Sequence, residues 1–164
     1  MDELMSNVGR IVVMGLVMFA TAGCSAVKTY PNSLEKNMHV ATQIDSGSAT
    51  LSTVAEFDIH RVDANCELIY QGRVFLDDVK TEVGIPTDGL IYLDFIFASK
   101  RFLSSNISGV RHGMLLNPRP GYVYQTQVKY IKGVYSVAIN ESGKGAAAGR
   151  LIERVPLSAC KPRK

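Results

Sequence analysis

The sequence predicts an all-β protein: an antiparallel β-sandwich of seven or eight strands, of the broad immunoglobulin-like or transthyretin-like kind. Three observations carry this. Downstream of residue 38 the apolar residues recur with period two rather than 3.6. Turn-forming clusters separate the alternating runs at short intervals. No amphipathic helix of any length appears there. A small closed β-barrel is the alternative architecture, and it would enclose a ligand cavity.

The strands follow in order. Leu51, Thr53, Ala55, Phe57 and Ile59 alternate with Ser52, Val54, Glu56, Asp58 and His60, the pattern of a half-buried strand. Residues 67–76 read similarly. In residues 79–85, Val79, Thr81, Val83 and Ile85 share a face, with Lys80 and Glu82 on the other. Pro86-Thr87-Asp88-Gly89 is turn chemistry. Residues 90–98 (LIYLDFIFA) are nearly all apolar, as in a strand covered on both faces. Asp94 interrupts that run. A buried carboxylate there would need a partner, so the expectation is an open face on which Asp94 meets water.

Residues 122–141 form the best-determined element. Tyr122, Tyr124, Thr126, Val128 and Tyr130 lie on one face, and Gln125, Gln127 and Lys129 on the other. Lys132-Gly133 supplies a two-residue turn. That register places Tyr130 opposite Tyr135, Val128 opposite Val137 and Thr126 opposite Ile139, all on the apolar face. It places Lys129 opposite Ser136 and Gln127 opposite Ala138. A slip of one residue would destroy this sorting. Residues 142–149 (SGKGAAAG) make a flexible connection, and residues 150–157 make a last strand that delivers Cys160. Residues 100–121 are weakly patterned and are expected to be a long excursion between sheets. A long ordered loop on a rigid scaffold is the natural place for a binding surface, so Arg111, His112, Asn117 and Arg119 are the candidate binding residues.

The N-terminal segment reads differently. Residues 11–23 (IVVMGLVMFATAG) carry no charge and follow Arg10. The run is short of the roughly 20 apolar residues a bilayer span needs, and it fits the apolar core of a signal peptide. Asp2 and Glu3 do not suit a positive leader, so translation is expected to start at Met5. Small residues and then Cys24 follow the apolar core.

Thr21-Ala22-Gly23-Cys24 resembles the lipobox of a bacterial lipoprotein precursor, in which an aliphatic and two small residues precede an invariant cysteine. Thr21 departs from the usual leucine. The resemblance covers only the first 25 or so residues. It implies a signal peptide over 1–23, lipidation of Cys24 and an acylated new N-terminus, because more than one acyl chain is needed for stable anchoring. Ser25, in place of the aspartate that favours inner-membrane retention, implies the outer membrane facing the periplasm, with the cell surface as alternative. Residues 24–38 would then be a lipid-anchored tether and residues 39–164 the sandwich domain.

With Cys24 lipidated, Cys66 and Cys160 remain, and an oxidising compartment favours one disulfide between them. No metal or other cofactor is expected. His39, His60 and His112 stand at no metal-ligand spacing. His60 and Asp58 share a polar strand face that should be solvated. Ser142-Gly143-Lys144-Gly145 lacks the spacing of a phosphate loop. A net charge of +3 is too small for a nucleic-acid partner. Nothing points to an enzyme. The expectation is a non-enzymatic binding or structural module at the membrane surface, of the build of an accessory or immunity lipoprotein, with an envelope protein as partner. The alternative is a periplasmic carrier with an apolar pocket lined by the hairpin tyrosines.

Overall fold

A computed structural model describes residues 27–47, 51–101, 107–146 and 148–162. The described strands are β1 (Met38–Asp45), β2 (Leu51–Val62), β3 (Leu68–Phe75), β4 (Lys80–Val83), β5 (Ile91–Arg101), β6 (Ile107–Leu116), β7 (Tyr122–Ile131), β8 (Val134–Gly143) and β9 (Arg150–Leu151). They form two facing sheets, ordered β4-β1-β7-β8-β9 and β3-β2-β5-β6. The sheets stay separate, so the fold is a sandwich and not a closed barrel.

Alternation builds the core. One sheet turns Met38, Val40, Val83, Tyr124, Val128 and Ile139 inward. The other turns Ala55, Phe57, Ile59, Leu93, Phe95 and Met114 to meet them. Phe57 and Phe95 stack with ring centroids 5.0 Å apart. The β7–β8 hairpin has the register read from the sequence, with Tyr130 opposite Tyr135, Val128 opposite Val137 and Thr126 opposite Ile139. Lys132 and Gly133 both take positive φ, 49° and 89°. That is the backbone of a type I′ turn, whose twist suits the flanking strands.

Four expectations are corrected. First, the sandwich is not wholly antiparallel: β1 runs parallel to β7 from Met38↔Tyr124 to Asp45↔Ile131. The chain leaves β1 for the other sheet, so no tight turn ties β1 to its neighbour's direction. Second, most of the 100–121 excursion is strand. β6 pairs with β5 from Ile91↔Leu116 to Lys100↔Ile107, and residues 117–121 then cross to the other sheet.

Third, residues 28–37, expected to be free of the sandwich, are docked on it. Tyr30 is buried, and its hydroxyl donates to the Gly84 carbonyl at 2.8 Å. Thr29 bridges to Arg73 on the edge of β3. Asn32 and Asn37 use their side-chain amides as strand surrogates: each both donates to and accepts from the backbone of residues 82–85. Gly84 is needed there, since a Cβ would stand 2.4 Å from the Leu34 carbonyl oxygen. Fourth, the last strand is short. β9 spans two residues, after which Val155 bridges to Leu115 of β6.

Candidate functional site

The candidate binding residues do not converge. Arg111 points to the outer face of its sheet and pairs with Asp94. His112 is on the opposite side of the same strand, opposite Phe95. Asn117 is exposed in the crossing. Arg119 is drawn to Glu141. Cys66 and Cys160 are joined, with Cα atoms 5.9 Å apart. Cys24 lies outside the described residues.

The densest chemistry is on the outer face of the β3-β2-β5-β6 sheet. Cross-strand pairing sets it out in rows. Arg73, Asp58, Asp94 and Gly113 form one row; Tyr70, His60, Tyr92 and Leu115 form the next; Phe75, Glu56, Ile96 and Arg111 flank the first row on its other side. A bulge at Gly72 shifts the β2–β3 register between Ile59 and His60. The bulge brings Tyr70, rather than Gln71, opposite His60.

Asp58 and Asp94 stand directly opposite each other and are each only 6% exposed. Like charges so placed repel, and each needs a cation. Arg73 grips Asp58 with two bonds of 2.7 and 2.9 Å and also reaches Glu56. Arg111 holds Asp94 at 2.7 Å. The hydrogen bonds it donates to Asp58 hold the Arg73 guanidinium well above its usual range, against the opposing effect of burial. The expectation that Asp94 meets water on an open face is therefore corrected, as is that of a solvated Asp58–His60 face. The covering side chains belong to neighbouring strands, which alternation in one strand cannot reveal.

His60 lies between two tyrosine rings, 5.3 Å from Tyr70 and 6.1 Å from Tyr92. Its Nδ1 is buried without a hydrogen-bond partner. Burial lowers its pKa; the charges of Asp58 and Asp94 oppose this, and Arg111 adds to it. The imidazole is therefore held neutral at neutral pH. Burial, and then Asp94, push the Tyr92 phenol up. Tyr92 lies across Gly113, where a Cβ would come within 1.7 Å of its hydroxyl.

A second polar centre closes one end of the core. Glu141 is 5% exposed and faces inward opposite Tyr124. It accepts from Arg119 through both carboxylate oxygens, from the Tyr124 hydroxyl at 3.0 Å and from Arg150 at 3.2 Å. Arg119 also lies 3.7 Å over the Tyr122 ring. The hydrogen bonds from Arg119 hold the Glu141 carboxyl below its usual range, against the effect of burial. Glu141 was legible in the sequence: the hairpin register, carried one step past Thr126–Ile139, sets it opposite Tyr124 on the apolar face.

At the same end lies an open cleft of about 410 Å³, whose walls include Leu34, Lys36, Ile85, Pro86, Pro120 and Tyr122. Its rim carries the pairs Arg61–Asp88 and Lys144–Glu35. Of the hairpin tyrosines that the carrier alternative invokes, Tyr122 lines this cleft and Tyr124, Tyr130 and Tyr135 do not. Tyr124 is fully buried, and Tyr130 and Tyr135 pack against Phe97 at 6.3 and 5.6 Å. Among the described residues no group of three or more His, Cys, Asp or Glu is placed to hold a metal ion. Comparison with protein-family models, with curated proteins and with solved structures gives no match.

Proposed function

We propose that this chain is an envelope lipoprotein, anchored through Cys24 to the outer membrane facing the periplasm. Its sandwich serves as a non-enzymatic binding or structural module for another envelope protein. The observation that carries this reading is the use of the cysteines. Cys66 and Cys160 pair with each other, as expected in an oxidising compartment. Cys24 is left as the odd cysteine, directly behind Thr21-Ala22-Gly23.

The docked chain supports the same reading. Lys28 already pairs with Arg73, so four Cα-to-Cα steps of at most about 3.6 Å each separate the anchor from the folded domain. The domain would be held within about 14 Å of the lipid. The buried carboxylates support a binding rather than a catalytic role, because Asp58, Asp94 and Glu141 are each engaged by arginine. A carboxylate whose oxygens are engaged by a guanidinium is poorly placed to exchange a proton with a substrate.

The test is the intact mass of membrane-extracted protein, with and without reductant. The reading expects residues 24–164 plus a diacylglycerol and an amide-linked acyl chain, with two hydrogens gained on reduction. An unmodified mass in the soluble fraction would overturn the anchor and bring the carrier forward.

A further inference from the structure

Both flanks of the sandwich are partly laced by segments outside the long strands, and among the described residues one stretch of β8 is left uncovered. On one flank residues 28–37 pair with Arg73 of β3 and then with residues 82–85. On the other flank β9 pairs with Asn140 and Glu141 of β8, and Val155 crosses to Leu115 of β6. Beyond that crossing, among the described residues, residues 134–138 of β8 have no neighbouring strand on their outer side.

The turn decides which backbone groups are free. In a two-residue hairpin the flanking residues Ile131 and Val134 exchange hydrogen bonds. Val134, Ser136 and Ala138 therefore bond towards β7, while Tyr135, Val137 and Ile139 face outward. The Ile152 amide donating to the Ile139 carbonyl at 2.8 Å has this parity. Tyr135 and Val137 thus present amide and carbonyl groups to whatever lies alongside. Residues 134–138 (VYSVA) contain no charge, no proline and no bulge, the devices that usually blunt an edge. Val134 is 71% exposed and Tyr135 39%, and Val110 of β6 is exposed across the seam.

We propose that this edge of β8 is a strand-addition site for an extended segment of a partner protein, in which apolar and acidic residues alternate. The free amide and carbonyl groups call for an extended backbone. The apolar seam beside Tyr135, Val137 and Val110 calls for apolar side chains on one face of that segment. The charge on its other face follows from Lys129, opposite Ser136, and Lys132 at the turn. Neither ammonium makes an ion pair among the described residues. β9 shows that the same edge accepts a strand two residues further on.

The proposal rests on the binding-module reading but not on the lipid anchor. Amide exchange of the mature protein in detergent micelles, followed by NMR, tests it with two capped peptides. One alternates valine and glutamate; the other alternates valine and lysine. The valine–glutamate peptide should slow exchange at Tyr135 and Val137 about tenfold. The valine–lysine peptide should not, and Val137→Pro, which removes an outward amide and no hydrogen bond to β7, should abolish the effect at Tyr135. No slowing with either peptide overturns the proposal, whether or not the variant folds. Equal slowing with both overturns the charge assignment. Slowing that grows with protein concentration alone gives the edge to a second copy of this chain and overturns the partner. A protein that lacks acyl chains yet shows the protection loses the anchor and keeps the edge.

Discussion

Removing the disulfide with Cys66→Ser and Cys160→Ser together should destabilise the domain mainly through the unfolded chain. The bridge spans a sequence separation of 94 residues. In the chain-entropy model that loop removes about 15.6 cal/mol/K from the unfolded ensemble, or about 4.7 kcal/mol at 25 °C. The native side of the balance should change little, because each end of the bridge has backbone hydrogen bonds of its own. The Cys66 amide donates to Asp63, the Cys160 amide to Leu157, and the Leu115 amide to Val155 at 2.7 Å.

For about 140 folded residues, with an unfolding entropy of about 2.1 cal/mol/K each, the loss corresponds to a Tm lower by about 16 °C. Urea melts of the oxidised wild type and the double variant measure it directly, and the variant's slope should rise as its unfolded chain expands. A loss below about 1 kcal/mol with an unchanged slope would refute the reasoning, since the unfolded chain would then already be compact. A full loss accompanied by fast exchange at the Leu115 amide would also refute it. The bridge would then be holding the C-terminal segment in place rather than restricting the unfolded state.

Further expectations follow from burial and geometry. Phe57→Ala removes a fully buried ring stacked on Phe95 and should cost about 3–5 kcal/mol in the same melts. Gly72→Ala puts a Cβ 2.6 Å from the Tyr30 Cα at a φ of 145°. It should expel residues 28–37 from the edge of β3, seen as new proteolytic cuts there and a loss of about 1–3 kcal/mol. His60 and His112 both have pKa values lowered by burial, so the unfolded chain takes up their protons more readily. Stability should be full above pH 6.5 and fall below it until the folded-state values are passed, and His60→Gln with His112→Gln should flatten that window. Glu141, lowered by Arg119, contributes in a separate window. Its stabilisation is full above 4.5 and is lost as the pH falls through its folded value, so Glu141→Gln should leave the histidine window unchanged.

The β7–β8 hairpin was legible because alternation, turn chemistry and pairing all depend on adjacent residues. The disulfide was legible because the sequence reading set Cys24 aside for lipidation, which left two cysteines to pair. β6 was not, because its outward positions hold Gly109, Arg111 and Gly113, and Gly113 is dictated by the Tyr92 ring on the next strand. Alternation fails where a neighbour fills the space. The docking of residues 28–37 was hidden for a related reason. One tyrosine and two asparagines do the work, and backbone pairing leaves no period. The parallel β1–β7 pair was invisible because a period of two has no direction. The polar array had a partial signal in Asp58, His60 and Asp94, but the arginines that cover them come from other strands.

The docking of residues 28–37 also fixes how the domain would stand if Cys24 is the anchor. Thr29 pairs in parallel with Arg73, and the Lys28 carbonyl accepts from the Tyr70 hydroxyl at 3.2 Å. Extending that line backward leads towards Leu68, the end of the sandwich that carries Cys66, Cys160 and the cleft near Lys144. The β7–β8 turn lies at the other end, where Lys132 donates its amide to Asp45. A strand of ten residues at about 3.3 Å each separates the two ends by about 33 Å. The cleft should therefore face the membrane and the free edge of β8 should project away from it. A fluorophore placed at Lys144 in the lipidated protein should be quenched by a quencher confined to the bilayer surface, while one at Lys132 should not. Strong quenching at Lys132 and none at Lys144 would mean that the chain reaches the membrane by another route, and the backward extension of the β3 pairing would be wrong.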